Sequence, residues 1–392
     1  MINAAVLGYG TIGSGVIEVL ARNKDIIREH AGEEIRVSHV LDLRDFPGSP
    51  VEKVLTHNID DILDDEDVDI VVEVMGGTRP AYDFVKGALE RGKSVVTSNK
   101  ALVAAYGPEL LKIAEDNRVN FMFEASVGGG IPVIRPLIRC LTADDILEIS
   151  GILNGTTNFI LTKMYSEGSD FEPTLKEAQA LGYAEADPTA DIEGYDPCRK
   201  IAILTSLAYG QFVDFEDIHC TGITGVTKED IAFARAFGLK IKLFGSSFKQ
   251  NGTVYAEVAP AMIGPEHPLY AVEDVMNAIM VRGNMLGNVM FYGAGAGSLP
   301  TASAVVSDMI VEAKHLDQNI PINIKPEKIV LGDISQAVSR YYVRLPKDVP
   351  ADFGIVQEME LEEYPESRAY LTEPVTGVQA AAWKDAVYFK LK

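Results

Sequence analysis

The first third of the chain alternates short apolar runs with segments whose apolar residues recur at helical spacing. The apolar runs predict strands at 2–7, 35–41, 69–74, 94–97 and 120–123, and the helical patterns lie at 81–90 and 101–116. Strands that alternate with helices over short connections are typical of a parallel sheet with helices on both faces. The pattern therefore predicts a doubly wound α/β domain.

After residue 130 the pattern becomes that of a largely antiparallel sheet. Strands are predicted at 149–154, 218–224, 239–248, 253–259, 278–283 and 288–292, and helices at 158–167 and 198–209. A long amphipathic helix at 302–319 is expected to return to the first domain, and further strands follow at 340–345 and 386–391. We therefore expect an α/β domain at 1–132, completed by a helix within 298–325, an α+β domain at 133–297, and a small C-terminal region at 326–392.

Composition limits the classes of partner. The 392 residues carry a formal net charge of −22 without a compensating basic stripe, which argues against nucleic acid and anionic membranes. No apolar segment is long enough to span a membrane, and no signal peptide is evident. The isolated Cys140, Cys198 and Cys220 favour a reducing cytoplasm. The six histidines lack metal-ligand spacing, so no zinc site is expected.

A glycine pattern follows the first predicted strand and opens a helix. It consists of Gly8, Gly10 and Gly13, with Thr11 and Ile12 between the last two. The first glycine permits a tight turn, the second lets a pyrophosphate approach the backbone, and the third lets the helix pack on the strand. The pattern predicts a Rossmann-type dinucleotide site, with the phosphates at the helix N-terminus.

The end of the second strand carries both kinds of cofactor selector. Asp42 would accept hydrogen bonds from an adenosine ribose, whereas Arg44 would favour a 2′-phosphate. The preference between NAD and NADP stays open on this pattern, with Asp42 slightly favouring the acceptance of NAD.

Three further segments carry candidate chemistry. Ser98 and Lys100 follow a strand of the parallel sheet, where ligands of such folds bind; Lys100 could polarise a carbonyl or cap the strand on the surface. Glu124 precedes the glycine run 128–130, whose carbonyls could bind a hard cation or form a domain hinge. A second glycine-rich loop at 293–297 could close over the cofactor or serve as a flexible crossover.

The segment from 178 to 200 is the most informative part of the chain. It is rich in carboxylates, is interrupted by two glycines and two prolines, and ends on Lys200. This composition predicts a loop, because glycine and proline break helices and strands. Converging acids with one lysine suit a small cationic or zwitterionic ligand, while a solvated acidic loop is the alternative.

These motifs, in this order, resemble the homoserine dehydrogenase family. The resemblance covers residues 1 to about 325 and rests on the glycine turn at 8–13, the segment 97–100, the acidic segment 182–200 and the glycine-rich segment 293–308. It implies reversible reduction of aspartate 4-semialdehyde to L-homoserine with NADH or NADPH. Two alternatives from the residues themselves are a dehydrogenase acting on a C–N bond and a non-catalytic dinucleotide sensor.

The resemblance also implies roles for individual residues. Lys200 and Lys100 would be catalytic, with Lys200 as the proton relay. The residues expected to bind substrate are Glu185, Asp191, Asp196, Thr156, Gly182 and Tyr183. Those expected at the cofactor are Gly8, Gly10, Thr11, Ile12, Gly13, Asp42, Arg44, Thr78, Ser98, Lys100 and Gly297. Glu124 and the backbone carbonyls of Val127, Gly129 and Ile131 would hold a monovalent cation, Na⁺ or K⁺.

The resemblance has further implications for assembly and regulation. It implies a homodimer formed through the second domain's sheet, and a monofunctional enzyme without a kinase domain. The strand at 340–345 resembles the opening strand of an ACT regulatory domain. The remainder is short for that module, so a truncated or diverged ACT-like region is expected.

Overall fold

The computed structural model describes residues 1–316 and 318–392 and divides the chain into two compact units. The first unit comprises 1–143, 206–215 and 293–329, and the second comprises 144–205, 216–292 and 330–392. Within the described ranges, no helix has the length and apolar character needed to cross a membrane.

The first unit is built on a parallel sheet. Its elements are β1 (Ile2–Leu7), α1 (Thr11–Arg22), α2 (Lys24–Ala31), β2 (Ile35–Leu41), β3 (Leu55–Thr56), α3 (Asp60–Leu63), β4 (Ile70–Glu73), α4 (Ala81–Glu90), β5 (Ser94–Thr97), α5 (Lys100–Asp116), β6 (Phe121–Met122), α6 (Ala125–Gly128) and α7 (Ile134–Arg139). The six strands follow the order β3-β2-β1-β4-β5-β6, and every pairing is parallel. This order reverses direction at β1 and β4, as in doubly wound dinucleotide-binding folds, and confirms the predicted fold class.

The second unit is built on a mixed sheet. The remaining elements of the chain are β7 (Ile146–Ile152), α8 (Gly155–Glu167), α9 (Phe171–Ala180), α10 (Thr189–Ile192), α11 (Tyr195–Tyr209), β8 (Gln211–Phe212), β9 (His219–Cys220), α12 (Lys228–Ala236), β10 (Lys240–Gln250), β11 (Thr253–Ile263), β12 (Met276–Gly283), β13 (Gly287–Ala294), α13 (Ser298–Ala313), β14 (Lys325–Lys328), β15 (Val338–Pro346), β16 (Ile355–Met359), β17 (Ser367–Thr372), β18 (Val375–Thr376), α14 (Gly377–Ala381) and β19 (Val387–Leu391). The main path of the large sheet is β13-β12-β7-β10-β11-β19-β15-β17-β16. Helices α8 and α12 pack against β10. The N-terminus of α8 at Gly155 lies close to the end of β7 at Ile152.

Helix α13 belongs to the first unit, where it packs against α1. Its buried face is apolar, and Ala302, Val305 and Met309 join the core beneath β1 and β4. The helix begins at Ser298 and ends at Ala313, earlier at both ends than the predicted 302–319. That predicted range includes Asp317, which lies outside the described residues.

Two local predictions for the second unit are wrong. The predicted strand at 218–224 is only β9, His219–Cys220. The acidic segment is not one loop, since it contains the short helix α10 and the first turns of α11. Pro197 lies within the first turn of α11, where no intrahelical partner for a backbone N–H is required, so proline does not prevent the helix. Lys200 is therefore a helical residue.

The C-terminal strands continue the sheet of the second unit. β19 pairs in parallel with β11, and β15 lies antiparallel between β19 and β17. When the two-residue β18 is left aside, the order β19-β15-β17-β16 places the fourth, first, third and second C-terminal strands side by side, which is the order of a βαββαβ module. Only residues 347–354 join β15 to β16, and the second crossover contains the short helix α14. The ACT-like character of this region stays a prediction.

Candidate active site

The glycine turn of the first unit has the three spatial properties expected of a dinucleotide cradle. Gly8 has a φ of +100°, which favours glycine. A Cβ on Gly13 would lie 2.0 Å from the Gly8 carbonyl oxygen, so α1 approaches β1 too closely for any side chain. A Cβ on Gly10 would meet nothing within 4 Å, so the space beside the N-terminus of α1 is open. These properties fit a pyrophosphate at the first turn of α1.

The remaining residues of this turn connect α1 with α13. The carbonyl of Thr11 accepts a hydrogen bond of 2.7 Å from the hydroxyl of Ser298, and Ile12 packs on the apolar core of the unit. Gly297, with a φ of +116°, precedes α13. The structure thus brings Gly297 to the same region of the first unit as Thr11.

The Asp42 carboxylate is engaged on both oxygens. Its Oδ2 accepts the Tyr9 amide at 2.8 Å, and the guanidinium of Arg44 donates from Nε to Oδ1 and from one Nη to Oδ2, each at 3.0 Å. The Arg44 hydrogen bond lowers the pKa of Asp42 far below its usual range. The two predicted selectors thus form one bidentate pair at the end of β2, with the Arg44 side chain 63% exposed.

A buried glutamate organises the ends of β4 and β5. Glu73 accepts hydrogen bonds from the Thr97 hydroxyl at 2.6 Å and the Met75 amide at 2.8 Å. Burial raises the pKa of Glu73 above its ordinary value. Asn99 donates to the Gly77 carbonyl at 2.6 Å and caps α5, which begins at Lys100.

This arrangement brings the predicted cofactor residues Thr78, Ser98 and Lys100 to adjacent strand ends. The Asn99 hydrogen bonds connect the loop that precedes Thr78 with the segment that contains Ser98. Adjacent carboxyl ends of parallel strands are where ligands of this fold class bind.

The Glu124 carboxylate is directed at helix α7. Its Oε1 accepts the amides of Val133 and Ile134, each at 2.7 Å, and its Oε2 accepts the amide of Arg135 at 2.8 Å. The adjacent glycine loop is equally constrained, because a Cβ on Gly129 would lie 2.4 Å from the Gly295 carbonyl oxygen. A cation at this loop would therefore depend chiefly on backbone carbonyls.

In the second unit, the buried Asp196 and Lys200 and the half-buried Asp191 form one polar cluster. Lys200 donates to the Leu153 carbonyl at 2.7 Å and pairs with the Oδ2 of Asp196 at 2.9 Å. Asn154 donates to the Oδ1 of Asp191 at 2.7 Å and to the Oδ2 of Asp196 at 2.9 Å. Asp196 and Lys200 lie one turn apart on α11, which explains their contact.

Within this cluster the pKa of Asp191 is raised above its ordinary value. Burial raises the pKa of Asp191, and the neighbouring Asp196 raises it further. Hydrogen bonds from Asn154 and Thr156 and the charge of Lys200 lower it. Burial thus outweighs the stabilising contacts, and the pKa of Asp191 lies above that of an ordinary aspartate.

The other predicted substrate residues lie around α9 and α8. The hydroxyl of Thr156 donates to the Tyr183 carbonyl at 2.6 Å, and Gly182 follows the C-terminus of α9 with a φ of +77°. The Tyr183 ring packs against Phe159, with ring centroids 5.1 Å apart. The structure does not place the exposed Glu185 side chain in the hydrogen-bonded cluster of Asp191 and Asp196.

Comparison with known proteins connects both units with one family. The family model "homoserine dehydrogenase, NAD binding domain" matches residues 8–124, and the model "homoserine dehydrogenase" matches 132–310. The homoserine dehydrogenase of Bacillus subtilis is 45% identical over 322 residues, which cover 80% of this chain and 73% of that protein. The chain belongs to the homoserine dehydrogenase family.

Solved structures of homoserine dehydrogenases agree. The crystal structure of the enzyme from Thiobacillus denitrificans has a TM-score of 0.88 and 36% identity, covering 100% of this chain and 98% of that one. A hyperthermophilic archaeal homoserine dehydrogenase in complex with NADPH has a TM-score of 0.68 and 31% identity, covering 79% of this chain and 96% of that one. The chain is an NAD(P)-dependent oxidoreductase of amino-acid biosynthesis that interconverts L-aspartate 4-semialdehyde and L-homoserine. This assignment replaces the two alternatives left open by the residues.

Three residues that organise the two polar clusters were not predicted from the sequence as site residues. They are Glu73, Asn99 and Asn154. Asn99 and Asn154 each stand between a strand and a helix, which is the sequence signature of an N-cap. Glu73 is a lone carboxylate in an apolar strand, and such a residue requires hydrogen-bond partners when buried.

Proposed function

We propose that the cluster of Asp191, Asp196 and Lys200 binds the amino-acid substrate and delivers the proton of the homoserine dehydrogenase reaction. The observation that carries this proposal is the fixed position of the Lys200 ammonium between the Leu153 carbonyl and the Asp196 carboxylate. The substrate has an ammonium, a carboxylate and an aldehyde. The acids match the substrate ammonium, and the lysine matches the aldehyde oxygen.

Substrate binding is assigned to residues of α8 to α11. Glu185 and Asp196 pair with the substrate ammonium, with Asp191 nearby. Thr156 contributes a hydroxyl, and Gly182 and Tyr183 shape the turn that carries the Thr156 hydrogen bond. The exposed Glu185 side chain must then move towards the ligand.

Lys200 is the proposed proton donor during reduction. A nicotinamide cofactor held at the glycine turn of α1 would supply the hydride for the aldehyde carbon. As negative charge develops on the aldehyde oxygen, the Lys200 ammonium stabilises that charge and transfers its proton, which yields the alcohol. Asp196 favours the protonated lysine, whereas burial opposes it. Lys100, at the start of α5 among the cofactor-binding residues, is proposed as the second catalytic lysine.

The assignment of the ammonium can be tested with an analogue that lacks it. The wild type is expected to oxidise L-homoserine at least about 10³-fold more efficiently than 4-hydroxybutanoate, because the analogue lacks the ammonium with which the proposed acids pair. Asp196→Asn and Glu185→Gln should each reduce this ratio at least tenfold, measured as kcat/KM with NADP. Glu172→Gln, an exposed acid on α9, is the matched control. Unchanged discrimination in both variants would refute the ammonium assignment.

Cofactor preference is proposed to depend on the ion pair between Asp42 and Arg44. Asp42 suits the ribose hydroxyls of NAD and Arg44 suits the 2′-phosphate of NADP, so both cofactors are expected to be accepted. The archaeal relative solved with NADPH supports acceptance of NADP. The open glycine turn and the N-terminus of α1 would hold the pyrophosphate.

Removing either side chain of the pair should shift the preference between NADPH and NADH, and the two substitutions should shift it in opposite directions. Asp42→Ala removes a negative charge and releases Arg44, so the NADPH:NADH ratio of kcat/KM is expected to rise at least tenfold. Arg44→Ala should lower the same ratio at least tenfold. The exposed Arg36 on β2 provides a control variant, Arg36→Ala, expected to leave the ratio unchanged. Shifts in the same direction for both variants would contradict the proposed division of roles.

The monovalent-cation site stays a prediction. Glu124 fits it poorly because its carboxylate oxygens already accept three amides of α7. Na⁺ or K⁺ would be held by the carbonyls of Val127, Gly129 and Ile131, and no step of the reaction is assigned to it.

Assembly, location and the C-terminal region also stay predictions. We expect a homodimer formed through the large sheet, which light scattering in solution would test. In the described part of the chain, Cys140, Cys198 and Cys220 form no disulfide, which is compatible with a reducing cytoplasm. A truncated ACT-like region at 326–392 is supported by the strand order described above.

A further inference from the structure

Asn154 occupies a central position in the second unit. It is 6% exposed and lies between the end of β7 and the start of α8. Its Oδ1 accepts the Thr157 amide at 2.9 Å, which caps α8, while its Nδ2 faces Asp191 and Asp196. The orientation of the amide is fixed, because the opposite one would place its oxygen against two carboxylates.

The two hydrogens of one amide are therefore shared between two acids. Asp191 is on α10 and Asp196 is on α11, two helices joined by only two residues, and Asn154 connects both to the turn between β7 and α8, which is 37 and 42 residues away in the chain. The adjacent residue, Leu153, supplies the carbonyl that binds Lys200 at 2.7 Å. Residues 153 and 154 thus fix the lysine and both carboxylates from one short segment.

We infer that Asn154 is a positioning residue for catalysis, which holds Asp191 and Asp196 in place beside Lys200 through its side-chain amide. This inference rests on the proposed roles of Asp196 and Lys200. Asn154 touches neither the aldehyde nor the hydride donor in this assignment. It acts by keeping two like charges at a fixed separation and by reducing their repulsion.

Two substitutions separate this role from helix capping. Serine and aspartate are both good N-cap residues, so Asn154→Ser and Asn154→Asp should keep α8 intact. Neither retains the two amide hydrogens. Asn154→Ser is expected to lower kcat/KM for L-homoserine about 10- to 100-fold, while its melting temperature falls no further than that of the control Asn158→Ser, which also loses buried amide hydrogen bonds.

Asn154→Asp adds a diagnostic change in the pH profile. The titratable groups that act on Asp191 are Asp196 and Lys200, and its neutral partners are Asn154 and Thr156. A third carboxylate in place of the amide removes a hydrogen bond that lowers the pKa of Asp191 and adds a negative charge that raises it. The acidic limb of the kcat/KM profile is therefore expected to move upward by about one pH unit.

The control is Asn158→Ser, one turn further along α8. Asn158 is buried and bonds to Lys242 and the Val272 and Met276 carbonyls rather than to the acids. It is expected to lower the melting temperature without moving the pH profile. NADPH binding, measured by fluorescence, should be unchanged in every variant.

The outcomes separate this inference from the proposed function. Wild-type kcat/KM in Asn154→Ser, or an unshifted pH profile in Asn154→Asp, would overturn the positioning role. If Lys200→Ala is inactive while the Asn154 variants behave like the wild type, the proposed function stands and only this inference fails. If Lys200→Ala is fully active, the proposed function fails first.

Discussion

Replacing Lys200 by alanine is expected to reduce kcat for aspartate semialdehyde reduction by about 10³-fold or more. Removing a positioned proton donor typically costs 10²–10⁴ in rate, and removing a stabiliser of developing negative charge costs a comparable factor. Both effects are assigned to the one ammonium that contacts Leu153 and Asp196. The measurement is single-turnover oxidation of NADPH, which isolates chemistry from product release.

Two controls make this result specific to the ammonium. Lys163→Ala removes a lysine on α8 that pairs with Glu167 and Glu177, and should leave kcat within about twofold of the wild type, because surface pairs contribute little. Exogenous methylammonium is expected to restore part of the activity of Lys200→Ala, since it can occupy the vacated space as a cation. An alanine variant with near wild-type kcat would assign the proton transfer elsewhere.

The cofactor-binding half could be predicted because its signals are local. The positions of Gly8, Gly10 and Gly13 follow from what one strand–helix turn requires, and the structure gives each the expected surroundings. The apolar runs of β1, β4 and β5 are continuous because these strands are buried on both faces. Local pattern and tertiary environment agree at these positions.

The polar cluster of the second unit could be predicted only in its residue types. Glycine and proline in 178–200 suggested a loop, but Pro197 is tolerated in the first turn of α11, and this places Asp196 and Lys200 on one face. Asn154 bonds to Asp191 and Asp196 across 37 and 42 residues. No local periodicity encodes such contacts, so the organisation of the acids becomes visible only in the fold.

The C-terminal strands illustrate the same limit. The pattern at 340–345 and 386–391 predicted strands, which the structure has as β15 and β19. Pairing of β19 with β11 depends on register between segments far apart in the chain, and Lys390 pairs with the buried Glu257 at this junction. Sequence periodicity specifies which face of a strand is apolar, but it does not specify the neighbouring strand.

Substitutions at two glycines of the first unit should have large and different effects. Gly13→Ala places a Cβ 2.0 Å from the Gly8 carbonyl oxygen, a distance that requires α1 and β1 to separate. We expect a fall in melting temperature of several degrees and a loss of NADPH affinity of at least 100-fold. Gly10→Ala meets no protein atom within 4 Å, so its melting temperature should be unchanged. Its NADPH affinity should still fall at least tenfold, because the methyl group occupies the path of the pyrophosphate.

Thermal unfolding without cofactor and fluorescence titration with NADPH separate the two effects. Gly225→Ala, in the second unit, also meets nothing within 4 Å and should change neither quantity. If Gly10→Ala binds NADPH as tightly as the wild type, the pyrophosphate does not approach this turn and the cofactor assignment of Gly8 to Gly13 is wrong. If Gly13→Ala is as stable as the wild type, the close contact of α1 with β1 is not required for the fold. Loss of affinity without loss of stability in Gly10→Ala is the combination that a dinucleotide cradle requires, because only a ligand can then occupy the space that the methyl group fills.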